Sequence, residues 1–201
     1  APSTTLTSPH IIAHSPYELT VLTRYGATQN SFSFAKAWSK DGTGALANVK
    51  KHTHTTHSIP TLDALYNALS ALAQNHNACV IRGALTPIGE AFYSKHGFVY
   101  RRNLEKLENN RKIAPHFHDV ARAWACFDAD DILTQHDMRT EAQQAVAWYV
   151  ENCLPSCFKD VGYVWQLSGS AGHPTKDPKM LRAHVWVLLT APRTSKELKA
   201  W

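Results

Sequence analysis

Residues 121–131 read ARAWACFDADD, an apolar segment that ends in three carboxylates. Apolar and aromatic residues in this order favour a β-strand. Because residues i and i+2 of a strand project from the same face, Asp128 and Asp130 are predicted to lie side by side. Two neighbouring carboxylates repel each other unless a cation lies between them, and Mg²⁺ or Mn²⁺, which prefer oxygen ligands, suit such a pair. The alternative is a strand end with solvated acids that cap the next turn.

The segments around this strand predict further helices and strands. Leucines recur at helical spacing from residue 62, directly after Thr61, where an N-cap belongs, and residues 140–153 place apolar side chains on one helical face. Apolar segments typical of strands lie at 78–83, 162–170 and 182–190. This succession predicts an α/β (α+β) fold in which helices flank a mixed sheet.

A loop rich in Ser and Gly follows the second of these strands and contains Ser168 and Ser170. Such loops expose backbone N–H groups and hydroxyls that can hold a phosphate. The chain then passes Lys179 and enters a strand on which Arg182 and His184 share one face, again by the i, i+2 rule. A basic pair on one strand opposite an acidic pair on another would fit a metal-bound triphosphate.

The first 60 residues are rich in Pro, Ser and Thr and are predicted to form mainly loops. The segment HTHTTH at 52–57 contains three histidines but no acidic neighbour, so we expect a solvated loop there rather than a metal site. A basic stretch at 101–112 is interrupted by Glu105 and Glu108, which favours the solvated face of a helix.

The composition limits the class of protein. A chain of 201 residues with 44% hydrophobic and 18% charged residues forms one domain or two small ones and excludes disorder and coiled coil. No apolar run approaches the roughly 20 residues that cross a bilayer, so we expect a soluble protein with no membrane partner. Two of the four cysteines lie in apolar segments, which fits a reducing cytoplasm. A net charge of +5 is compatible with a nucleic-acid or nucleotide ligand.

The order of these elements resembles the archaeo-eukaryotic primase superfamily. An apolar strand that ends in DxD is followed by a strand with a Ser-Gly-Ser loop and then by a strand that reads AHVWVLL. The chain looks most like the primase–polymerase domains at the N-termini of phage and plasmid replication proteins, and the resemblance is firmest over residues 79–201. FDADD matches the first motif of that family, which implies that Asp128 and Asp130 are catalytic and bind metal.

The second motif of the family is a Ser and a His that contact the phosphates of the incoming nucleotide. The resemblance implies that Ser168 or Ser170 fills the first position and His184 the second, with Arg182 and Lys179 beside them. His173 competes for the histidine position, because 13 residues separate Ser170 from His184. We favour His184, since a strand fixes its side chain and places Arg182 next to it.

The resemblance also implies an activity and its surroundings. We expect template-directed nucleotidyl transfer on single-stranded DNA, as a DNA primase or DNA polymerase, with Mg²⁺ or Mn²⁺ as cofactor and NTP or dNTP as substrate. It implies the cytoplasm of a bacterial host, phage or plasmid replication, and a helicase domain in the parent protein. Residues 1–201 would form one primase–polymerase domain, with a loop-rich and helical part at 1–75 and a catalytic core at 76–201, as a fragment of a longer replication protein.

A third family motif, another acid after a later strand, has no obvious counterpart. A chain that stops before this motif would explain the difference. The only acid after His184 is Glu197, in a Lys-rich segment predicted to be helical. Alternatively, an acid from elsewhere in the chain, such as Asp131, Asp137 or Asp160, would fill the position.

One competing hypothesis is an HUH-type single-strand endonuclease that initiates replication. Such enzymes bind metal through two histidines that flank a hydrophobic residue and use a tyrosine nucleophile. The segment His116-Phe117-His118, with Tyr149 downstream, matches this pattern, but no apolar strand precedes it.

Another hypothesis is a nonenzymatic module that binds an origin or single-stranded DNA. The basic stretch 101–112, with Phe98 and Tyr100 just before it, would follow a phosphate backbone. This hypothesis does not explain the carboxylates at 128–131, since acids repel DNA unless a metal neutralises them.

Overall fold

The computed structural model describes residues 14–27, 37–38, 44–45, 49–108, 111–169, 171 and 174–200, with the backbone alone at 37–38, 44–45, 106–108 and 111. The described part of the chain is a mixed α+β structure with several antiparallel sheets and four α-helices. The strands are β1 (Glu18–Arg24), β2 (Ala37–Trp38), β3 (Gly44–Ala45), β4 (Lys51–Ser58), β5 (Ala78–Ile81), β6 (Gly83–Leu85), β7 (Val99–Tyr100), β8 (Lys106–Glu108), β9 (Arg111–Ile113), β10 (Phe117–Asp119), β11 (Arg122–Leu133), β12 (Tyr163–Leu167) and β13 (Met180–Arg193). The helices are α1 (Leu62–Ala73), α2 (Pro87–His96), α3 (Ala142–Cys153) and α4 (Ser195–Leu198), and a 3₁₀ turn covers Ser156–Phe158.

Two sheets organise the fold. The first has the strand order β5-β1-β4-β7 and the second has the order β11-β13-β12. The pairs β6–β10, β2–β3 and β8–β9 form smaller two-stranded units. The described pairings are antiparallel, so the sheets differ from the mixed sheet that the sequence predicts. The reason is that β13, which follows β12 in the chain, lies between β11 and β12 and runs antiparallel to both, so the two strands that α3 connects run in the same direction without pairing.

The N-terminal half corrects two predictions. The segment HTHTTH is not a loop but most of β4, which pairs with β1 along its length and with β7 at its start, and His52 within it is buried. Threonines favour a strand because their branched side chains fit the pleated surface. The basic stretch 101–112 contains the hairpin β8–β9 rather than a helical face. The first sheet also crosses residue 75, because β5 and β7 pair with β1 and β4.

Local signals explain the helices. The Thr61 side chain accepts a hydrogen bond from Ala64 N at 3.1 Å and caps α1, as the sequence predicts. Helix α2 was not predicted, although its signals are present in the sequence: the Thr86 side chain caps it, Pro87 opens it, and Gly97 ends it with φ of 71°. None of the described helices has the length and apolar character needed to cross a bilayer.

The second sheet has a different environment on each face. On one face, residues such as Ala125 and Val185 pack with Val146 and Tyr149 of α3. On the other face, Trp124 and Trp186 pack with residues of α1 and β1. Successive residues of a strand project from opposite faces of the sheet. Residues 126 and 128 of β11 and residue 184 of β13 therefore share the face of Trp124 and Trp186, which is turned toward the first sheet and α1.

A buried arginine ties the two sheets together. Arg122 of β11 is fully buried, and its Nη1 donates to Glu18 Oε2 at 2.9 Å and to the Ser15 carbonyl at 2.7 Å. Its Nη2 donates to Thr20 Oγ1 at 3.2 Å. These partners belong to β1 and the residues before it, so Arg122 fixes β11 relative to the first sheet.

Candidate active site

Polar side chains form a row across the second sheet, two residues along the strands from the row that contains Trp186. His184 of β13 lies opposite Asp128 of β11 on one side and Gln166 of β12 on the other. His184 Nε2 is 3.4 Å from Asp128 Oδ1, and the side chains are 35% and 67% exposed respectively. The histidine therefore lies between a carboxylate and an amide at a surface that a ligand can reach.

The next row contains an arginine opposite two acids. Ala129 pairs with Ala183 and Ile132 with Leu181, so Asp130 and Asp131 both lie opposite Arg182. This is a β-bulge, and Asp131 adopts φ of 59°, which Asp tolerates better than most residues. Arg182 Nη2 donates to Asp131 Oδ1, and Arg182 Nη1 is 4.0 Å from Asp130 Oδ1.

The phosphate-binding candidates lie around this second row. Ser168 N donates to the Arg182 carbonyl at 2.9 Å, so the Ser loop begins beside Arg182. Lys179 precedes β13 with an exposed side chain, and its carbonyl accepts from Thr134 N at 2.9 Å at the end of β11. Ser170 and His173 lie outside the described residues, so the choice between His173 and His184 stays a prediction.

The candidates for a third acid lie in different places. Asp131 contacts Arg182 and therefore belongs to the site. Asp137 accepts from Arg139 N at 2.7 Å in the turn before α3. Glu197 accepts from Thr194 N and Oγ1 in the capping box of α4, and these hydrogen bonds hold its pKa below the usual value. Asp160 is exposed after the 3₁₀ turn.

A cavity of about 570 Å³ opens over the row of Asp128, His184 and Gln166. Its opposite wall is formed by α1 and β5, and its floor toward the core is formed by Trp124 and Trp186. The cavity therefore has one polar end and one apolar end, as in sites that bind a ligand with both kinds of surface.

Two further residues line the same cavity. The Arg82 guanidinium donates to the carbonyls of Trp124 and Arg193, and burial lowers its pKa to about 10. Cys126 precedes Asp128 on the same face, and burial, then the Asp128 charge, raise the pKa of its thiol to about 12. Cys126 is therefore protonated at neutral pH and is a poor nucleophile, since the thiolate is the reactive form.

The acidic side chains of the site bear on the divalent metal that the sequence predicts. Within the described part of the chain, no cluster of three or more His, Cys, Asp or Glu side chains is placed to hold a metal ion. Asp128 and Asp130 project from the same face, on either side of the buried Ala129. Mg²⁺ is usually bound by one or two carboxylates, with waters and substrate phosphates as its remaining ligands. The pair fits a site that a substrate completes, rather than a closed structural site.

The residues of the HUH-type hypothesis are separated. His116 is buried, its Nδ1 accepts from Tyr100 N at 3.2 Å, and its ring packs 4.6 Å from Phe92. Tyr149 is buried against the opposite face of the second sheet. These side chains therefore do not form a common site.

Comparison with known proteins gives no match: no protein-family model, no curated protein and no solved structure is similar to this chain. The chemistry of the site has to be inferred from its own geometry. Sequence reasoning missed two of its residues, Gln166 and Arg82. The i, i+2 rule along YVWQL places Gln166 on one face with Val164, but nothing local indicates that this face meets His184.

Proposed function

We propose that this chain is a primase–polymerase of the archaeo-eukaryotic primase type, which transfers nucleotides to a growing strand under the direction of a single-stranded DNA template. The observation that carries the proposal is the pairing of the two motif segments. Asp128 lies opposite His184, and Asp130 and Asp131 lie opposite Arg182 on the same strand pair. The resemblance in sequence assigns metal-binding to the first segment and phosphate-binding to the second, and a nucleotide triphosphate needs both within a few ångströms.

The charge balance of the site supports a cationic ligand. Asp128, Asp130 and Asp131 carry three negative charges, and Arg182 carries one positive charge, which leaves two negative charges when His184 is neutral. Two unbalanced carboxylate charges at a partly exposed surface favour a divalent cation over a monovalent one. Mg²⁺ or Mn²⁺, held by Asp128 and Asp130, would lower the pKa of the attacking 3′-hydroxyl and neutralise the triphosphate.

The chain's own residues would position the substrate. The 3′-oxygen attacks the α-phosphorus, the bond to the β-phosphate breaks, and pyrophosphate leaves. Arg182, His184 and the hydroxyl of Ser168 or Ser170 would hold the β- and γ-phosphates, together with Lys179, which is exposed just before β13. Asp131 holds the Arg182 guanidinium in the row next to Asp128 and His184.

The proposal is tested by nucleotide incorporation on homopolymer single strands. Labelled dNTPs and NTPs are supplied in Mg²⁺ and in Mn²⁺, and the product is sized on a denaturing gel. We expect a metal-dependent product whose composition follows the template, with adenine templates taking up only thymidine or uridine nucleotides. A product that ignores the template would indicate a terminal transferase, and no product in either metal would contradict the proposal.

A further inference from the structure

A second cavity, of about 660 Å³, lies beside the cavity of Asp128, His184 and Gln166. The two cavities share Val80, Ile81 and Arg82 as lining residues, so they are adjacent along the end of β5. The second cavity is lined by five basic side chains and one acidic side chain. The basic residues are Arg82, Arg101, Arg102, Lys196 and Lys199.

The acidic residue of this cavity, Asp119, has a structural role. Its carboxylate accepts from Ser195 N at 2.8 Å and from Ser195 Oγ at 2.7 Å. These bonds attach α4 to the end of β10, so Lys196 and Lys199 are held at the wall of the cavity. Asp119 therefore anchors the helix that supplies two of the cations.

Four of these five cations have no ion-pair partner in the described part of the chain, whereas Arg82 interacts electrostatically with Asp119. No ion pair there involves Arg101, Arg102, Lys196 or Lys199. The buried Nε of Arg102 also has no hydrogen-bond partner among the described residues. Cations that share one concave surface repel each other, and a cavity that focuses their field raises the local concentration of anions. This cavity therefore suits an anionic ligand.

Aromatic rings next to the cavity indicate which class of anion it binds. The Arg102 guanidinium lies 5.4 Å from the centre of the Tyr100 ring, and Tyr100 packs 5.6 Å from Phe98. Lys51 Nζ lies 4.4 Å from the centre of the Phe98 ring. Both aromatic side chains are partly exposed; Tyr100 belongs to β7, the edge strand of the first sheet, and Phe98 directly precedes that strand. Cations interleaved with accessible rings are typical of surfaces that bind single-stranded nucleic acid, because the rings stack on unpaired bases.

We propose that the basic cavity binds the phosphodiester backbone of a single strand, which continues past Arg82 into the cavity of Asp128 and His184. The path of the strand beyond Arg82 rests on the proposed function, because template-directed synthesis requires the strand at the site of Asp128 and His184. Binding itself depends on Arg101, Arg102, Lys196 and Lys199, and it does not require catalysis.

The test is fluorescence anisotropy with a labelled oligo(dT) of about 20 nucleotides, measured across a series of salt concentrations. The test variant is the double substitution Arg101→Gln and Lys199→Gln, since both side chains are exposed and line the cavity. The matched control is Lys95→Gln with Arg139→Gln, which removes one lysine and one arginine from exposed positions outside both cavities. Thermal unfolding of each variant checks that the fold is retained.

Each phosphate contact with a single strand contributes about 0.7 to the slope of log K against log salt, which corresponds to about fivefold in affinity at about 0.1 M salt. We expect the test variant to bind about 25-fold more weakly and its slope to fall by about 1.4, with the control unchanged. An unchanged slope in the test variant would overturn the proposal. So would an equal loss in the control, or tighter binding of a duplex of the same length.

The outcome is independent of the proposed function. The anisotropy experiment contains no metal and no nucleotide, so it measures strand binding separately from synthesis. Salt-dependent binding through Arg101 and Lys199 in a protein that makes no product would keep this inference and reject the polymerase. Synthesis by a protein whose oligonucleotide affinity ignores these two residues would do the reverse.

Discussion

Asp128 and His184 face each other across the β11–β13 pair, with 3.4 Å between the carboxylate Oδ1 and the imidazole Nε2. Their contact depends on the register of two strands that a helix, a strand and a loop separate in the chain. A slip of one residue would move one of them to the opposite face, where Ala129 and Val185 lie in the core. The buried residues on that face therefore hold the two site residues together.

The histidine position can be assigned by kinetics. We expect His184→Ala to raise the nucleotide KM by about tenfold, because it removes the hydrogen bond that we propose His184 donates to a charged phosphate. His173→Ala should have a smaller effect. Steady-state incorporation with each variant measures the two constants, and a larger effect of His173→Ala would move the phosphate contact to the Ser-Gly loop.

The bulge at Asp131 predicts a difference in stability between two substitutions. At φ of 59°, a β-branched residue is strained, whereas glycine is not. We expect Asp131→Val to lower the free energy of unfolding by about 1–2 kcal/mol, and Asp131→Gly to remain within about 1 kcal/mol of the wild type. Urea unfolding measures both. Equal stability of the two variants would show that the bulge rearranges without cost.

The buried Arg122 predicts a large loss of stability. Arg122→Met removes the cation that holds Glu18, and it also removes the bonds to the Ser15 carbonyl and the Thr20 hydroxyl. We expect the free energy of unfolding to fall by about 3 kcal/mol or more. The exposed Arg139→Met should change it by less than about 0.5 kcal/mol. Similar values for the two variants in urea would mean that Arg122 does not tie the sheets together.

Buried histidines predict that the protein loses stability in acid. Burial, and then Arg102, hold the pKa of His116 below its ordinary value of 6.5, and burial also lowers the pKa of His52 and His54. The unfolded chain therefore binds protons more readily than the folded one below that pH. Stability is fully present above about pH 6.5 and is lost as the pH falls toward the folded-state pKa values.

The comparison of urea unfolding at about pH 7.5 and about pH 5 measures this loss. In His116→Asn, the side-chain oxygen replaces Nδ1 as acceptor for Tyr100 N but does not titrate. We expect the loss between the two pH values to be smaller in this variant. The same loss in the variant and in the wild type would exclude His116 as a contributor.

Part of the fold follows from local sequence patterns. The strands at 121–131 and 182–190 and the helix that begins after Thr61 were predicted, because each has a clear apolar period or cap. The strand β4 was missed because its histidines and threonines are polar, and its pairing with β1 is a tertiary property. The antiparallel arrangement of the sheets was missed for the same reason.

The candidate site shows the same division. The i, i+2 rule predicted that Asp128 and Asp130 share a face, and that Arg182 and His184 do. It did not predict that Asp131 joins Arg182, because a β-bulge depends on how the partner strand pairs. The basic cavity could not be predicted from the sequence either. Arg101 and Lys199 lie far apart in the chain, and they line one cavity only because Asp119 holds α4 in place.

The central claim is that the carboxylates opposite His184 perform metal-dependent nucleotidyl transfer. The most direct measurement is the incorporation assay with Asp128→Asn beside Asp63→Asn, which changes an exposed acid in the first turn of α1, outside the site. We expect Asp128→Asn to lower incorporation by at least about a hundredfold with an unchanged melting temperature, because it removes a negative charge of the proposed metal site, and we expect Asp63→Asn to act as the wild type. Near wild-type incorporation by Asp128→Asn would contradict the account.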